Sequence, residues 1–270
     1  MGTNEAERRR WSDERWYSVW PKRERLTSEV TAYLLDALAP TQGEHIIDIG
    51  GGGGTATLAA ARAVGVGGAV VGVDISAALC RLAEERAAAA GSRNASFVVA
   101  DAQTDAIAGG PFDAAMSQFG VMFFDEPVTA FRNVHSQLRT GGRIAFACWQ
   151  PIEANPWFFA GAVAEFLPPP PQPGPGKSPT GPFALADPER TTEILESAGF
   201  TNVRRTAHDV ETEAPEDSVV DEAQLIFMGV PDDKFSRAMQ TVEKYMSRFK
   251  IDSNRSRFPL AFQIFTASKR

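Results

Sequence analysis

His45-Ile46-Ile47-Asp48-Ile49-Gly50-Gly51-Gly52-Gly53-Gly54-Thr55 decides how the rest of the chain is read. A short apolar run of this kind is a buried parallel strand. It ends in an acid, five consecutive glycines and a threonine, and then enters the helix-forming run Ala56-Thr57-Leu58-Ala59-Ala60-Ala61-Arg62. Glycine carries no Cβ, so such a turn can take positive φ and let a ligand lie against bare backbone N–H groups at a helix N-terminus. The stretch therefore predicts a nucleotide-type site at a strand–loop–helix junction.

Working outward, a strand–helix alternation begins at His45. Strands are expected at 45–49, 69–74, 96–100, 112–117 and 143–149, with helices near 55–63, 76–90 and 127–139. Gly91 and Thr140-Gly141-Gly142 supply stop signals. Alternation implies right-handed crossovers and an α/β fold, a parallel sheet with helices on both faces. In such sheets ligands sit beyond the carboxyl ends of the strands, so the strand exits are the positions to question. At the second exit, Asp74 lies 20 residues beyond Gly54, the spacing at which an acid accepts ribose hydroxyls. It could instead cap the next helix, although Ser76 already supplies that cap. Asp101, at the third exit, either starts a turn or accepts from an exocyclic amine. The fourth exit, Met116-Ser117-Gln118-Phe119-Gly120-Val121-Met122-Phe123-Phe124, is apolar and suits a pocket floor.

Before the first strand, residues 5–25 interleave arginines and acids with Trp11, Trp16, Tyr17 and Trp20. The step from Trp16 to Trp20 puts both rings on one helix face, so the segment reads as an amphipathic helix laid over the domain, or as a flap with Trp20 at the ligand's edge. A second helix is expected from Thr27 to Ala39, stopping before Pro40. After Trp149, Trp157, Phe158 and Phe159 are expected to pack a helix bordering the substrate pocket. The proline-rich stretch 168–176 can be neither helix nor central strand. Asp187-Pro188 opens a helix that ends at Gly199. A strand over 200–210, helical stretches near 216–228 and 232–249, and a last strand over 258–267 complete the chain. The helices between these two strands are either core or a lid.

Composition narrows the function. With 270 residues, 43% of them hydrophobic, the chain can bury a full core. A net charge of −7 and a pI near 5.1 argue against a broad nucleic-acid or membrane footprint and favour a small-molecule partner. No stretch approaches the roughly 20 apolar residues of a membrane span, and Cys80 and Cys148 read as buried thiols of a cytoplasmic protein. His45, His135 and His208 each read as structural, so no catalytic base is named, and no metal-ligand cluster is visible. The oligomeric state is open, a homodimer included.

Taken together, Asp48 to Gly54, Gly72-Val73-Asp74-Ile75-Ser76, Ala100-Asp101-Ala102-Gln103, Pro111-Phe112-Asp113, the run from Ser117 to Phe124, and Leu138 to Arg143 resemble, in order, the motifs of class I S-adenosylmethionine-dependent methyltransferases. The resemblance is nearest to the branch of ubiquinone/menaquinone-biosynthesis C-methyltransferases and bacterial small-molecule methyltransferases. It implies a Rossmann-like seven-stranded sheet whose last strand is antiparallel, and S-adenosylmethionine as cofactor. It places Asp48, Gly50 and Gly52 at the methionine part, Asp74 on the ribose, Asp101 with Ala102 on the adenine, and Ser117 or Gln118 beside the methyl group, with Ile75 and Gln103 also among the cofactor-binding residues. Trp20, Phe123, Trp149 and Trp157 would form the substrate pocket. The implied organisation is a flap over 1–40, a cofactor-binding core over 41–150, a substrate-side insertion over 151–199, and the end of the sheet with inserted lid helices over 200–270, all one domain. Thr140 stands where the family commonly has proline. Two alternatives stay open. Gly51-x-Gly53-x-x-Ala56 also fits the dinucleotide fingerprint of a nicotinamide-dependent oxidoreductase, and a non-catalytic S-adenosylmethionine-binding protein needs no base.

Overall fold

In the computed structural model, which describes residues 4–168, 178, 180–215, 224–225 and 228–270, seven strands form a single sheet in the order β3-β2-β1-β4-β5-β7-β6. They are β1 (His45–Ile49), β2 (Ala69–Asp74), β3 (Ala95–Val99), β4 (Phe112–Gln118), β5 (Leu138–Trp149), β6 (Thr201–Pro215) and β7 (Arg255–Ser268). The first five run parallel, whereas β7 pairs antiparallel with both β5 and β6. The class expected from the sequence is the class found.

Period-two alternation builds the two cores. Ile47, Ile49, Val71 and Val73 face one side, in the same core as Ala130, Phe131 and Val134 of α6 (Pro127–Gln137), and α7 (Pro188–Ser197) packs Ile194 and Leu195 into that core farther along the sheet, against α6 and β6. Ile46, Val70, Ala114 and Met116 face the other, beneath Leu34 and Leu38 of α3 (Val30–Leu38) and Ala60 and Val64 of α4 (Thr55–Val64). Helix α5 (Ala77–Ala89) is capped by the Ser76 hydroxyl, which accepts from the Leu79 N–H at 3.3 Å. The crossover from β3 to β4, residues 100–111, contains no helix, which leaves Val98 and Val99 exposed. At the end of the sheet away from the strand exits, Arg143 bonds Glu44 at 2.7 Å and the Leu38 carbonyl at 2.7 Å, tying α3 to β1 and β5.

Several boundaries differ from the sequence reading. The N-terminal segment is two helices, α1 (Glu5–Trp11) and α2 (Arg15–Arg23), because Ser12-Asp13-Glu14 breaks the run and the Asp13 carboxylate accepts from the Arg15 N–H at 2.9 Å. A 3-10 turn, Glu24–Thr27, precedes α3. No α-helix forms around Trp157; three 3-10 turns, Ile152–Ala154, Phe159–Gly161 and Ala164–Phe166, stand there instead. Asn155 holds this stretch to the sheet, exchanging bonds of 2.8 and 3.0 Å with the backbone of Ala261. Strand β6 extends five residues past the expected 210, because β7 offers it partners as far as Arg255. The helix expected over 232–249 is α8 (Phe235–Met246) flanked by 3-10 turns. The stretch 169–176 and most of 216–228 lie outside the described residues. Among the described residues no helix is long and apolar enough to cross a membrane.

Candidate functional site

The order of strand addition reverses between the parallel neighbours β1 and β4, and Asp48 pairs in register with Met116 on one side and Gly72 on the other. A crevice opens beyond the strand ends at such a switch point. Here it is a cavity of about 270 Å³, and the exits of β1, β2, β3 and β4 all contribute to it.

The glycine run is confined by backbone at Gly50 and by side chains at Gly52 to Gly54. Gly50 has φ +69°, and a Cβ on it would stand 2.7 Å from the Cα of Gly120. Two bare backbones are therefore pressed together where the β1 and β4 loops meet. The Gly52 N–H donates to Asp74 Oδ2 at 2.9 Å, so the second exit acid grips the loop of the first. The other Asp74 oxygen accepts from the Ser76 N–H at 2.8 Å.

Asp48 is the buried charge of the site, 1% exposed and lining the cavity. Its Oδ2 accepts from the Thr57 hydroxyl of α4 at 2.6 Å, while Oδ1 has no hydrogen-bond partner. Burial pushes its carboxyl up from the ordinary 3.8 to about 7; the Thr57 bond opposes this rise and the Asp74 charge adds to it. Burial also raises Asp74, against the backbone N–H bonds from Ser76, Gly52 and Ile75. A buried carboxylate oxygen without a donor, beside a glycine cradle, suits a ligand that brings a cationic N–H group.

The third exit acid, Asp101, is likewise 1% exposed and lines the cavity. Its carboxylate accepts from the Gln103 N–H at 3.0 Å, the Arg8 guanidinium at 3.1 Å and the Asn4 amide at 3.4 Å. Helix α1 thus reaches across the cavity to an acid 93 residues away. Glu24 makes a second tie, bonding Arg86 of α5 at 2.5 Å and Thr55 at 2.9 Å, while Arg86 also donates to the Gly53 carbonyl at 2.9 Å. Trp20 lies over Gly52 and Gly53, near enough that a Cβ on either would meet its ring at 2.7 Å.

Aromatic rings wall the remaining volume. Trp11 meets Trp16 with ring centroids 4.6 Å apart and Phe123 at 5.4 Å; Trp149 meets Trp157 at 5.0 Å. Phe119, held at φ +63°, stacks on Trp149 at 4.1 Å. A bulky residue in that backbone region is strained, and here the strain aims a ring into the cavity.

Of the residues singled out from the sequence, Asp48, Gly50, Asp74, Ile75, Asp101, Ala102 and Gln118 line the cavity together with Trp20, Phe123, Trp149 and Trp157. Gly52, Gln103 and Ser117 do not. Gln103 is buried with its amide on Asp125 Oδ1 at 2.8 Å, and the Ser117 hydroxyl donates to the Ile49 carbonyl at 2.7 Å and accepts from the Gly120 and Val121 N–H groups. Both brace the loops from behind. Phe119 and Gly120 line the cavity too, within the fourth exit read from the sequence as a pocket floor, whereas Thr57, Asn4, Glu7 and Arg23 were missed. The spacing of Thr57, one helical turn into α4, was a signal for its bond to Asp48; the others depend on long-range placement. None of the three histidines lines the cavity, and both cysteines are buried, their thiols pushed up to about 12 by burial. Among the described residues no three histidine, cysteine or acidic side chains gather as a metal site.

A family model described as a methyltransferase domain matches residues 46–142, the part that carries every one of these exits. The chain is 30% identical over 197 residues to the nocamycin O-methyltransferase of Saccharothrix syringae, covering 69% of each protein. The chain belongs to the class I S-adenosylmethionine-dependent methyltransferases. It is also 38% identical over 136 residues to an aklanonic acid methyltransferase of a Streptomyces species, a match spanning 50% of this chain and 58% of that protein. In fold the methyltransferase chain is similar to the YcgJ protein of Bacillus, with a TM-score of 0.60 at 14% identity over 90% of this chain and 98% of the other.

Proposed function

We propose that this methyltransferase binds S-adenosylmethionine across the exits of β1, β2 and β3 and transfers its methyl group to the carbon or oxygen of a small, apolar or aromatic metabolite. The observation that carries this reading is the lone Oδ1 of Asp48, buried among glycines and lining the cavity. An amino-acid ammonium would supply the missing donor, with the tail against Gly50 and Gly51. Asp74, its oxygens already aligned by the Gly52 and Ser76 N–H groups, keeps lone pairs for ribose hydroxyls, with Ile75 beside them. Asp101 would take the exocyclic amine of adenine in place of Asn4 and Arg8, with Ala102 beside it.

When bound, the sulfonium supplies an electrophilic methyl group. The chain's own task is to hold donor and acceptor in line and to keep water out. Phe119, Phe123, Trp149 and Trp157 form an apolar chamber for a flat acceptor, and Gln118 stands at its boundary with the donor half. Helices α1 and α2 act as the flap that closes both halves. The relatives named for aklanonic acid and nocamycin support an acceptor of the small-molecule kind.

A thermal-shift panel tests the reading. S-adenosylhomocysteine should raise the melting temperature and NAD should not; the reverse outcome would transfer the chain to nicotinamide chemistry. Turnover of methyl-labelled donor on a metabolite extract then separates an enzyme from a protein that only binds the cofactor.

A further inference from the structure

Among the described residues, two side chains that line the cavity bury an acceptor oxygen with no donor, Asp48 and Asn4. The first is accounted for by the methionine ammonium. Asn4 stands at the start of α1, 6% exposed, in the left-handed backbone conformation (φ 59°, ψ 22°) that asparagine tolerates better than most residues. An asparagine at a helix start ordinarily caps the helix with its side chain, yet no such bond forms here. Its amide instead reaches the third strand exit, 97 residues away: Nδ2 donates to Asp101 Oδ1 at 3.4 Å, and Oδ1 is left over. The acid fixes which way round the amide sits, because the reverse would set oxygen against oxygen. Asn4 is also held from behind. Its backbone N–H donates to Asp125 Oδ2 at 3.1 Å, Asp125 Oδ1 accepts from the Gln103 amide at 2.8 Å, and the Gln103 N–H donates to Asp101 Oδ1 at 3.0 Å, a circuit that closes back on Asn4.

We infer that Asn4 completes the adenine site from the flap: the exocyclic amine of the donor gives one N–H to Asp101 and the other to Asn4 Oδ1. This rests on the reading of the cavity as an S-adenosylmethionine site. An amine on a purine carries two N–H donors that diverge in the plane of the ring, so the acid that takes one leaves the other to be paired elsewhere or buried bare. The unpaired Asn4 oxygen, fixed beside Asp101, is the acceptor for it. The present bond from Asn4 to Asp101 is at the long end of hydrogen-bonding distance, so the amine exchanges one weak contact for two full ones. Recognition follows from the same count. A 6-oxo purine would set an acceptor against two acceptors, and an N6-alkylated purine would bring one donor for two. The flap therefore reads the purine as well as covering it.

The probes are S-adenosylhomocysteine and its N6-methyl derivative, titrated by calorimetry into the full chain at pH 7.5. Wild type should bind the parent compound about tenfold more tightly than the methylated one, which keeps one N–H and loses the other. Asn4→Gly deletes the amide but tolerates the left-handed backbone, so the start of α1 is not strained by the change. This variant should bind S-adenosylhomocysteine roughly three- to tenfold more weakly than wild type and should distinguish the two probes by about twofold at most. Glu24→Gln cuts the flap's tie to Arg86 and leaves the adenine end untouched, so it should keep the full preference for the parent compound. Equal or tighter S-adenosylhomocysteine binding by Asn4→Gly would mean that the amine drives Asn4 out of the site, and it overturns the inference. A preference that survives in Asn4→Gly, or that is lost in Glu24→Gln, overturns it as well; all three results leave the methyltransferase reading standing. Failure of S-adenosylhomocysteine to bind wild type overturns both.

Discussion

Asp48 is enclosed by the fold with one oxygen on Thr57 and the other without a donor, and burial lifts its carboxyl from 3.8 to about 7. The folded value therefore exceeds the unfolded one, and the native protein takes up a proton between about pH 4 and pH 7. Stability from this group is complete below the unfolded value and is lost as pH rises through 7, the full interval corresponding to ~4 kcal/mol. Of that, ~3 kcal/mol falls between pH 5 and 8. Asp48→Asn cannot ionise, and whatever it costs through its own amide is the same at every pH. The melting temperature of the variant minus that of wild type should therefore rise from pH 5 to pH 8, by roughly 5–10 °C for a chain of this size. A cationic ligand inverts the account, because an ammonium beside Asp48 favours the ionised form. S-adenosylhomocysteine should bind wild type about tenfold more weakly for each pH unit below 7, and Asp48→Asn weakly but with no such slope. Fluorimetric melts across pH 5–8, followed by calorimetry with the ligand, measure both quantities. A variant-minus-wild-type difference that stays level with pH would refute the buried-charge argument, and an equal ligand slope in both proteins would refute the assignment of the ammonium.

Two further predictions follow from the loops around the cavity. Gly50→Ala forces a Cβ to within 2.7 Å of the Gly120 Cα at a positive φ, a clash of backbone on backbone, so its melting temperature should fall well below that of Gly91→Ala. Gly91 also has positive φ but nothing within 4 Å, and loses only the ~1–2 kcal/mol of a left-handed alanine; equal losses in the two variants would dismiss the loop contact. Glu24→Gln removes the ion pair to Arg86, half-shielded and so contributing only about 1 kcal/mol, and should leave the melting temperature nearly unchanged while speeding proteolytic nicking within residues 12–29. Unaltered nicking would show that Glu24 does not hold the flap shut.

What could be read from the sequence was the part whose causes are local. A parallel strand must be apolar, its exit must turn, and an acid at that exit has few reasons to be there, so Asp48, Asp74 and Asp101 could be picked out within windows of a few residues. What escaped was whatever needs two distant segments to meet. Nothing in Glu7-Arg8-Arg9-Arg10 says which basic residue will reach Asp101, because every one of them is an equally good solvated helix residue until the fold brings α1 over the third strand exit. The same holds for Gly120, a glycine in an aromatic loop with no visible purpose until Gly50 is pressed against it. The helix expected around Trp157 failed for a different reason. Trp157, Phe158 and Phe159 were expected to pack a helix, but Asn155 satisfies its side-chain amide on Ala261 and Gln150, fixing the backbone outside helical geometry, and Trp157 donates back to the Asn155 side chain at 3.0 Å. An apolar run forms a helix only when no side chain offers the backbone a better partner. Here a buried asparagine made that offer, and the rings it displaced from a helix were left to wall the chamber instead.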